Sequence, residues 1–304
     1  MDWKTTKIEA LLEAALVEDQ AMRDTTTDLT IDPELCATAR ILARQDLVVC
    51  GLGAVPRFFE VFARLDARPQ ARRAFEVVSN PEIFDGVKAH EGQVLAVIRH
   101  NARTLLSCER VILNLMQHLS GIATQTRRYV DAIEGTGARL LDTRKTIPGL
   151  RTLEKYAVSC GGGTNHRMDL AAGILIKNNH ISLGGGVRQS LSNALAHRKP
   201  GQRVQVEVRT PAELEDALTC GAEALLLDNM MPAEIRTSVE RIRAFTGSAS
   251  RNDPRWIPTE ASGGIVLENI RAYAEAGVDY ISVGALTHSA KAADISMRIE
   301  AEPS

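Results

Sequence analysis

Apolar residues recur at helical spacing at Ile8, Leu11, Leu12, Ala15 and Leu16, which predicts an amphipathic first helix ending near Asp19. Over residues 37–49 the pattern changes to alternation: Ala39, Ile41 and Ala43 are set against Arg40 and Arg44, and Gly51 and Gly53 follow. That reads as a strand and a turn. A helix is expected after Pro56, with Phe58, Phe59, Phe62 and Leu65 along its core face. Two further strands are expected over 74–79 and 93–99. From 104 to 134 one long helical pattern runs through Leu105, Val111, Ile112, Leu115, Met116, Leu119 and Ile122, with Gly121 its weak point and Gly135 and Gly137 ending it.

Beyond Gly137 short apolar runs alternate with helical segments, at 139–142, 174–177, 204–208, 224–228, 257–261 and 280–284. Such alternation predicts βα units and a parallel sheet. A polar or charged residue ends or follows nearly every run, as at Asp142, Lys177, Asp228 and Ser262. In a (β/α) barrel the carboxyl ends of the strands open onto one mouth, so groups far apart in sequence would converge there. Six strands can be counted. Residues 246–258 are polar and turn-rich, too long for an ordinary connection, and are expected to form a surface excursion. The organisation expected is an α+β domain over 1–118, an α/β barrel over 119–288, and a tail, 289–304, packed back on the first domain.

Composition narrows the partners. In 304 residues 44% are hydrophobic, 24% charged and 4% aromatic, so the core is aliphatic and two domains are affordable. A net charge of -2 excludes a global basic field for nucleic acid, which leaves small molecules and further copies of the chain. The first twenty residues lack the charged, apolar and small-residue regions of a signal peptide, and no window approaches eighteen apolar residues. No membrane association and a cytoplasmic location are expected. Five widely spaced cysteines, Cys36, Cys50, Cys108, Cys160 and Cys220, read as reduced thiols. Cys160 lies beside a glycine run but has no dedicated base nearby, which favours packing over nucleophilic work.

Residues 142–180 carry the candidate chemistry. Arg144, Lys145, Arg151, Lys155, Arg167 and Lys177 fall among strand-like residues and the Gly161-Gly162-Gly163 run. Arginine forks suit carboxylates and phosphates, lysine supplies a point charge, and glycine backbones can approach a ligand closely. A solvated basic face is the alternative. Position argues for a site, since Arg144 and Lys145 closely follow Leu140-Leu141 and Lys177 ends Ile174-Leu175-Ile176. Val204, Val206 and Val208 alternate with Gln205 and Glu207, which turns Glu207 into the barrel. Glu207 and Asp228 at one mouth would suit Mg²⁺, which accepts one or two carboxylates plus substrate oxygens; a salt bridge to a lysine is the alternative for each. Ser262-Gly263-Gly264 and Val283-Gly284-Ala285 follow the last two strands, where barrels commonly hold phosphate on backbone amides, although glycine pairs also mark plain turns. No histidine pair has metal-ligand spacing.

The stretches DTRKTIPGLRTLEKYAV, CGGGTNHR and ILIKNNHI, with Glu109-Arg110 and residues 119–124 upstream and 280–288 downstream, resemble the quinolinate phosphoribosyltransferase family, also called nicotinate-nucleotide pyrophosphorylase (carboxylating). The resemblance covers most of the chain. It implies a type II phosphoribosyltransferase-like fold: an N-terminal α+β sandwich-like domain plus an incomplete, seven-stranded α/β barrel, one strand more than the count above. It implies Mg²⁺-dependent transfer of phosphoribosyl from phosphoribosyl pyrophosphate to quinolinate, with decarboxylation, in NAD biosynthesis. Arg110, Arg144, His166 and Arg167 resemble the family's grip on the two quinolinate carboxylates, with Thr143 beside them. Lys145 and Lys177 resemble the lysines at the pyrophosphate and the reacting centre, and Glu207 and Asp228 the acidic residues on the ribose hydroxyls and, directly or indirectly, Mg²⁺. The loops 262–264 and 283–285 resemble the 5-phosphate loops. The resemblance further implies a homodimer, alone or within a higher oligomer, with Arg110 acting in trans. Pattern alone would make Glu109-Arg110 an exposed ion pair.

Two departures stand out. Asp24-Thr25-Thr26-Thr27 resembles an early family segment but lacks its glycines, and Asn178 stands where Asp is usual. Two other readings remain open at this level: a related phosphoribosyltransferase acting on another heterocycle, such as the molybdenum-associated paralogue, and a non-catalytic barrel that binds a phosphorylated metabolite. His180 and His288 are read as structural.

Overall fold

Alternation along Cys36–Ala43 (β1) buries Ala37, Ala39, Ile41 and Ala43 and leaves Thr38 and Arg40 partly exposed, so one strand face makes core. In the computed structural model, residues 1–302 apart from Ser79 and Ser248 are described. After β1 come Leu47–Val48 (β2), Glu76–Val78 (β3), Lys88–Ala89 (β4) and Val94–Asn101 (β5). A four-stranded antiparallel sheet is ordered final strand Ile295–Ala301, β1, β5, β3, and β2 pairs separately with β4. Phe58, Phe59 and Phe62 on helix Ala54–Leu65 are buried, as are Ile8, Leu12 and Leu16 on helix Thr6–Glu18. Pro56 lies inside the first turn of its helix rather than before it, where its missing N–H leaves no intrahelical bond unmade. Residues 25–30 form a short helix, Thr25–Thr30, whose N-cap Asp24 accepts a hydrogen bond from the Thr27 N–H at 3.0 Å. The strand expected over 74–79 is confined to β3, with Ser79 outside the described residues.

By contacts the chain divides into two units: Met1–Arg127, Pro148–Gly162 and Ala290–Ser304 make one, and Arg128–Ile147 with Gly163–Ser289 make the other. The sequence reading places the boundary at 118/119, inside the helix Ala102–Ala132. Helix Arg151–Cys160 goes with the first unit. So does the final strand, paired with β1; residues 303 and 304 of the expected tail lie outside the described residues.

In the second unit six parallel strands, Arg139–Leu141 (β6), Ile174–Ile176 (β7), Val204–Val208 (β8), Ala224–Asp228 (β9), Thr259–Ser262 (β10) and Tyr280–Ser282 (β11), pair in the order β6, β11, β10, β9, β8, β7. The seventh strand survives as one residue. Thr164 forms a parallel bridge to Leu141, donating its N–H to the Leu140 carbonyl at 2.8 Å and accepting from the Asp142 N–H at 3.2 Å. This bridge and β7 are the two ends of the open seam. Val204, Val206 and Val208 are buried on one face of β8, and helices cover the sheet as a parallel sheet requires.

Of the expected excursion at 246–258, Arg251 and Trp256 lie at the opposite end from the strand carboxyl termini, and Ser248 lies outside the described residues. Arg251 donates to the Gly137 carbonyl at 3.0 Å, just before β6, and pairs with Asp279 at 2.9 Å, just before β11. Trp256 stacks under the Arg243 guanidinium, 3.4 Å from ring centroid to Cζ. The excursion buttresses the barrel base and leaves the mouth uncovered.

Candidate active site

The carboxyl ends of the barrel strands enclose a cavity of about 660 Å³. Its lining includes Thr143, Arg144 and Lys145 after β6, His166 and Arg167 after the Thr164 bridge, Lys177 after β7, Glu207 on β8, Asp228 on β9, Ser262, Gly263 and Gly264 after β10, and Val283, Gly284 and Ala285 after β11. All of these side chains and loops come from the second unit. Arg110 is exposed on helix Ala102–Ala132 of the first unit and does not line this cavity. Arg151 and Lys155 do not line it either. They lie on the helix of the first unit, where Lys155 is fully buried, so the six-cation cluster read from sequence proximity is four. Nor does the Gly161-Gly162-Gly163 run approach a ligand there. A Cβ on Gly161 would overlap Thr126 and the Ala123 carbonyl, and one on Gly162 would meet Arg127, so close helix packing requires those glycines. Cys160 is half-buried against Cys50 and Tyr156 of the same unit.

Positive charge in the cavity is poorly neutralised by the chain. Burial and the neighbouring Arg144 guanidinium both depress the Arg167 pKa, with Asp169 opposing them. Arg167 is anchored by a 2.9 Å bond to the Gly173 carbonyl, and the buried Nε of Arg144 has no hydrogen-bond partner among the described residues. Two apposed guanidinia with an unused buried donor form a receptor for a carboxylate or phosphate. Lys145 and Lys177 are exposed to the cavity. Lys177 begins helix Asn178–Leu183 as its N-cap, and its N–H donates to His180 Nδ1 at 2.9 Å, which gives His180 a capping role.

Across the mouth, Glu207 and Asp228 converge on Arg209, a residue sequence reasoning missed. Arg209 Nη2 is 3.2 Å from Glu207 Oε1 and 2.8 Å from Asp228 Oδ2, and Nε donates to the same Asp228 oxygen at 2.9 Å. Burial, then the Asp228 charge, raises the Glu207 pKa despite the opposing Asn178 N–H, Arg209 and Lys177. Asn229, at φ 55°, donates from Nδ2 to Asp228 at 2.7 Å and from its backbone to the Ser262 carbonyl at 2.8 Å. Gly263, at φ +98°, has to be glycine, because a Cβ would overlap the Asn229 side chain.

Glu260 was also missed. Buried on β10, it lines the cavity and accepts from Gln205 Nε2 at 2.8 Å, with His166 Nε2 at 3.3 Å. Burial alone would raise its pKa, but the hydrogen bonds from His166, Ser282 and Gln205 prevail and lower it. His166 Nδ1 accepts from the Arg167 backbone N–H at 2.7 Å, so the proton sits on Nε2 and faces Glu260. The imidazole thus orients the Arg167 backbone. A signal for Glu260 was present: it shares strand phase with Ser262, as Glu207 opposes the valines of β8. Asn229, Ser282 and His288 complete the polar lining. Arg209 directly follows Val208 at the end of β8, the same strand-end position that marked Lys177, so its signal was present and was passed over.

Comparison with known proteins agrees over the full length. The family model described as quinolinate phosphoribosyl transferase, N-terminal domain, matches residues 24–120, and the C-terminal domain model matches residues 122–298. A probable nicotinate-nucleotide pyrophosphorylase [carboxylating] of Bacillus subtilis is 39% identical, with 96% of this chain and 93% of that protein covered. Quinolinate phosphoribosyltransferase [decarboxylating] 1b of Nicotiana tabacum is 37% identical over 98% of this chain and 84% of its own. The crystal structure of NadC from Streptococcus pyogenes superposes with a TM-score of 0.88 at 34% identity, covering all of both chains. A mixed α/β architecture with a parallel barrel sheet is common to them. With both domain models matched in order and relatives well above 30% identity along nearly the whole chain, this protein belongs to the quinolinate phosphoribosyltransferase family.

Proposed function

We propose that this chain transfers phosphoribosyl from phosphoribosyl pyrophosphate to the ring nitrogen of quinolinate, with loss of one carboxylate as CO₂, giving nicotinate mononucleotide and pyrophosphate. The observation that carries the reading is the division of charge in one cavity. Arg144 and Arg167 with an unused buried donor lie in the same chamber as the acidic pair Glu207 and Asp228. A dicarboxylate acceptor needs the first feature, and a ribosyl centre that gains positive charge as its leaving group departs needs the second.

Arg144 and Arg167 would hold the quinolinate carboxylates and fix the ring nitrogen toward the ribose. Lys145 and Lys177 would take up the charge that accumulates on the departing pyrophosphate. Glu207 and Asp228 would orient the ribose hydroxyls and stabilise the cationic ring. Backbone amides of 262–264 and 283–285 would seat the 5-phosphate. Once the pyridine nitrogen is alkylated, the electron pair left at the adjacent carbon by the departing CO₂ stays in the ring plane, stabilised by the neighbouring cationic nitrogen as an ylide until a proton replaces the carboxylate. Thr143 borders the arginines, and His166 acts by positioning Arg167.

The acidic pair fits Mg²⁺. Two carboxylates face one space, and no group of three or more His, Cys, Asp or Glu side chains suitable for a metal occurs among the described residues. Such a donor set suits an ion that keeps water and phosphate in its coordination shell. When bound on Glu207 and Asp228, Mg²⁺ would supply charge neutralisation for pyrophosphate.

Two features support an active dimer, alone or in a higher oligomer. Arg110 is exposed and absent from the cavity lining, while Ile147, Met168, Leu170, Leu183, Met231 and Val266 are exposed apolar residues in segments following strand carboxyl ends. An apolar rim around a polar mouth marks a surface that another chain covers. Among the described residues no helix is long and apolar enough to cross a membrane.

The deciding experiment mixes purified protein with quinolinate, phosphoribosyl pyrophosphate and Mg²⁺, and measures nicotinate mononucleotide and CO₂. Both should form with quinolinate, neither with nicotinate in its place, and excess chelator should abolish both. Product formation from nicotinate alone would overturn the acceptor assignment, and full activity in chelator would overturn the metal role.

A further inference from the structure

Among the described residues Arg209 is the one cation bonded to both members of the acidic pair, and nothing in the reaction outlined above uses it. Its fork makes two contacts to a single Asp228 oxygen, at 2.8 and 2.9 Å, and one to Glu207, at 3.2 Å. The turn that carries it is tied down, since the Arg209 N–H donates to Glu213 Oε2 at 2.7 Å while Thr210, the N-cap of helix Pro211–Thr219, accepts from the Glu213 N–H at 3.2 Å. The side chain itself is 43% exposed, so the guanidinium has a solvated position to move to. It thus occupies the space between the two carboxylates without being packed into it.

We infer that Arg209 is a built-in counter-cation that competes with divalent metal for Glu207 and Asp228, so that the free site excludes the bare ion. The charge count gives the reason. Two carboxylates carry two negative charges and Arg209 returns one, so a divalent ion entering alone gains the attraction of a pair already half neutralised. It must also break charge-assisted hydrogen bonds to three polar contacts. An ion that arrives already bound to a polyphosphate changes the balance, because the anion offers the displaced guanidinium a new partner. Metal and phosphorylated substrate then bind with positive linkage. This last step rests on the proposed function; the competition at the acidic pair does not.

The test is Mn²⁺ uptake by the free protein, followed as loss of the free-ion electron paramagnetic resonance signal, with no substrate present. Arg209→Gln should bind Mn²⁺ at least about tenfold more tightly than the unaltered protein, the scale expected for removing a unit charge within a few ångströms of a divalent ion. Adding Glu207→Gln should cancel the gain. Equal affinities, or a gain that survives Glu207→Gln, would overturn the inference. Arg209→Lys keeps the charge but cannot span both carboxylates, and it should bind Mn²⁺ roughly threefold more tightly. If the glutamine variant fails to fold, the lysine variant decides, and no gain refutes the idea. Failure to make nicotinate mononucleotide would sink the proposed activity and leave this titration readable.

Discussion

Glu207 on β8 and Glu260 on β10 face the same cavity, yet their carboxyl pKa values move in opposite directions. Burial leads both lists of causes. At Glu260 three side-chain donors outweigh it; at Glu207 the Asp228 charge adds to it. Linkage then gives opposite signs. The Glu260 contribution is fully present above the unfolded value near 4.5 and is lost as pH falls through its lower folded value. Ionised Glu207 instead costs stability at neutral pH, and that cost disappears as pH falls through its raised folded value. Glu207→Gln should therefore abolish turnover while melting at the same temperature as the unaltered protein or higher at pH 7.5. A clear drop in melting temperature would refute the assignment. Glu260→Gln should lose about 1–3 kcal/mol at neutral pH through its disrupted donors, with the difference from the unaltered protein shrinking below pH 4.5. A pH-independent difference would count against the ionised state. The lysines behave differently again. Lys145 and Lys177 are exposed, so alanine at either should cut turnover by orders of magnitude with little change in the melting temperature. Near-normal turnover in either would remove it from the reaction.

At the level of elements, the barrel strands were legible because most are apolar or alternating runs ended by a polar group; β10, Thr259–Ser262, is the exception, and there the expected strand started two residues early at Ile257. The seventh was not, since it is a single bridge at Thr164 between three glycines and the polar Asn165-His166-Arg167, with no apolar run to announce it. Cations at strand ends, Arg144, Lys145 and Lys177, were legible for the same reason as the strands. Arg151 and Lys155 misled because adjacency in sequence does not show that helix Arg151–Cys160 leaves the barrel unit. Gly121 shows a different limit. In mid-helix it reads as a weak point, and propensity alone predicts that alanine there would stabilise by about 1 kcal/mol. The fold gives the reverse reason for it: a Cβ would overlap the Lys291 carbonyl, where the segment leading to the final strand crosses the helix. Ala293 N–H donates to the Gln117 carbonyl at 2.9 Å, and Gln117 Nε2 donates to the Ile295 carbonyl at 2.7 Å, so the crossing cannot readily move away. Gly121→Ala should therefore destabilise by about 1–3 kcal/mol in denaturant titration. Stabilisation would mean that the crossing is loose.

For the whole molecule the remaining question is whether a residue of the first unit serves a cavity built from the second. Every residue assigned to the cavity lies within 128–147 or 163–289, whereas Arg110 is exposed on the helix Ala102–Ala132. The family resemblance gives an arginine at this position a place on the neighbouring subunit's substrate. An acceptor with two carboxylates and only part of its clamp would lose orientation as well as affinity, so activity should require the dimer. An exposed arginine with only a local role would be worth little to either. Subunit mixing separates the two. Arg110→Ala and Lys145→Ala homodimers should both be inactive, the first because each site lacks its visiting arginine, the second because each lacks its own lysine. After exchange, a mixed dimer pairs one subunit of each kind. The site on the Arg110→Ala subunit keeps its own Lys145 and receives an intact Arg110 from its partner, while the other site carries both defects. With random exchange of equal amounts, half of the dimers are mixed and each holds one whole site, so about a quarter of the unaltered activity should return. If both variants fold and demonstrably exchange subunits but activity stays at the parental level, Arg110 does not act across the boundary.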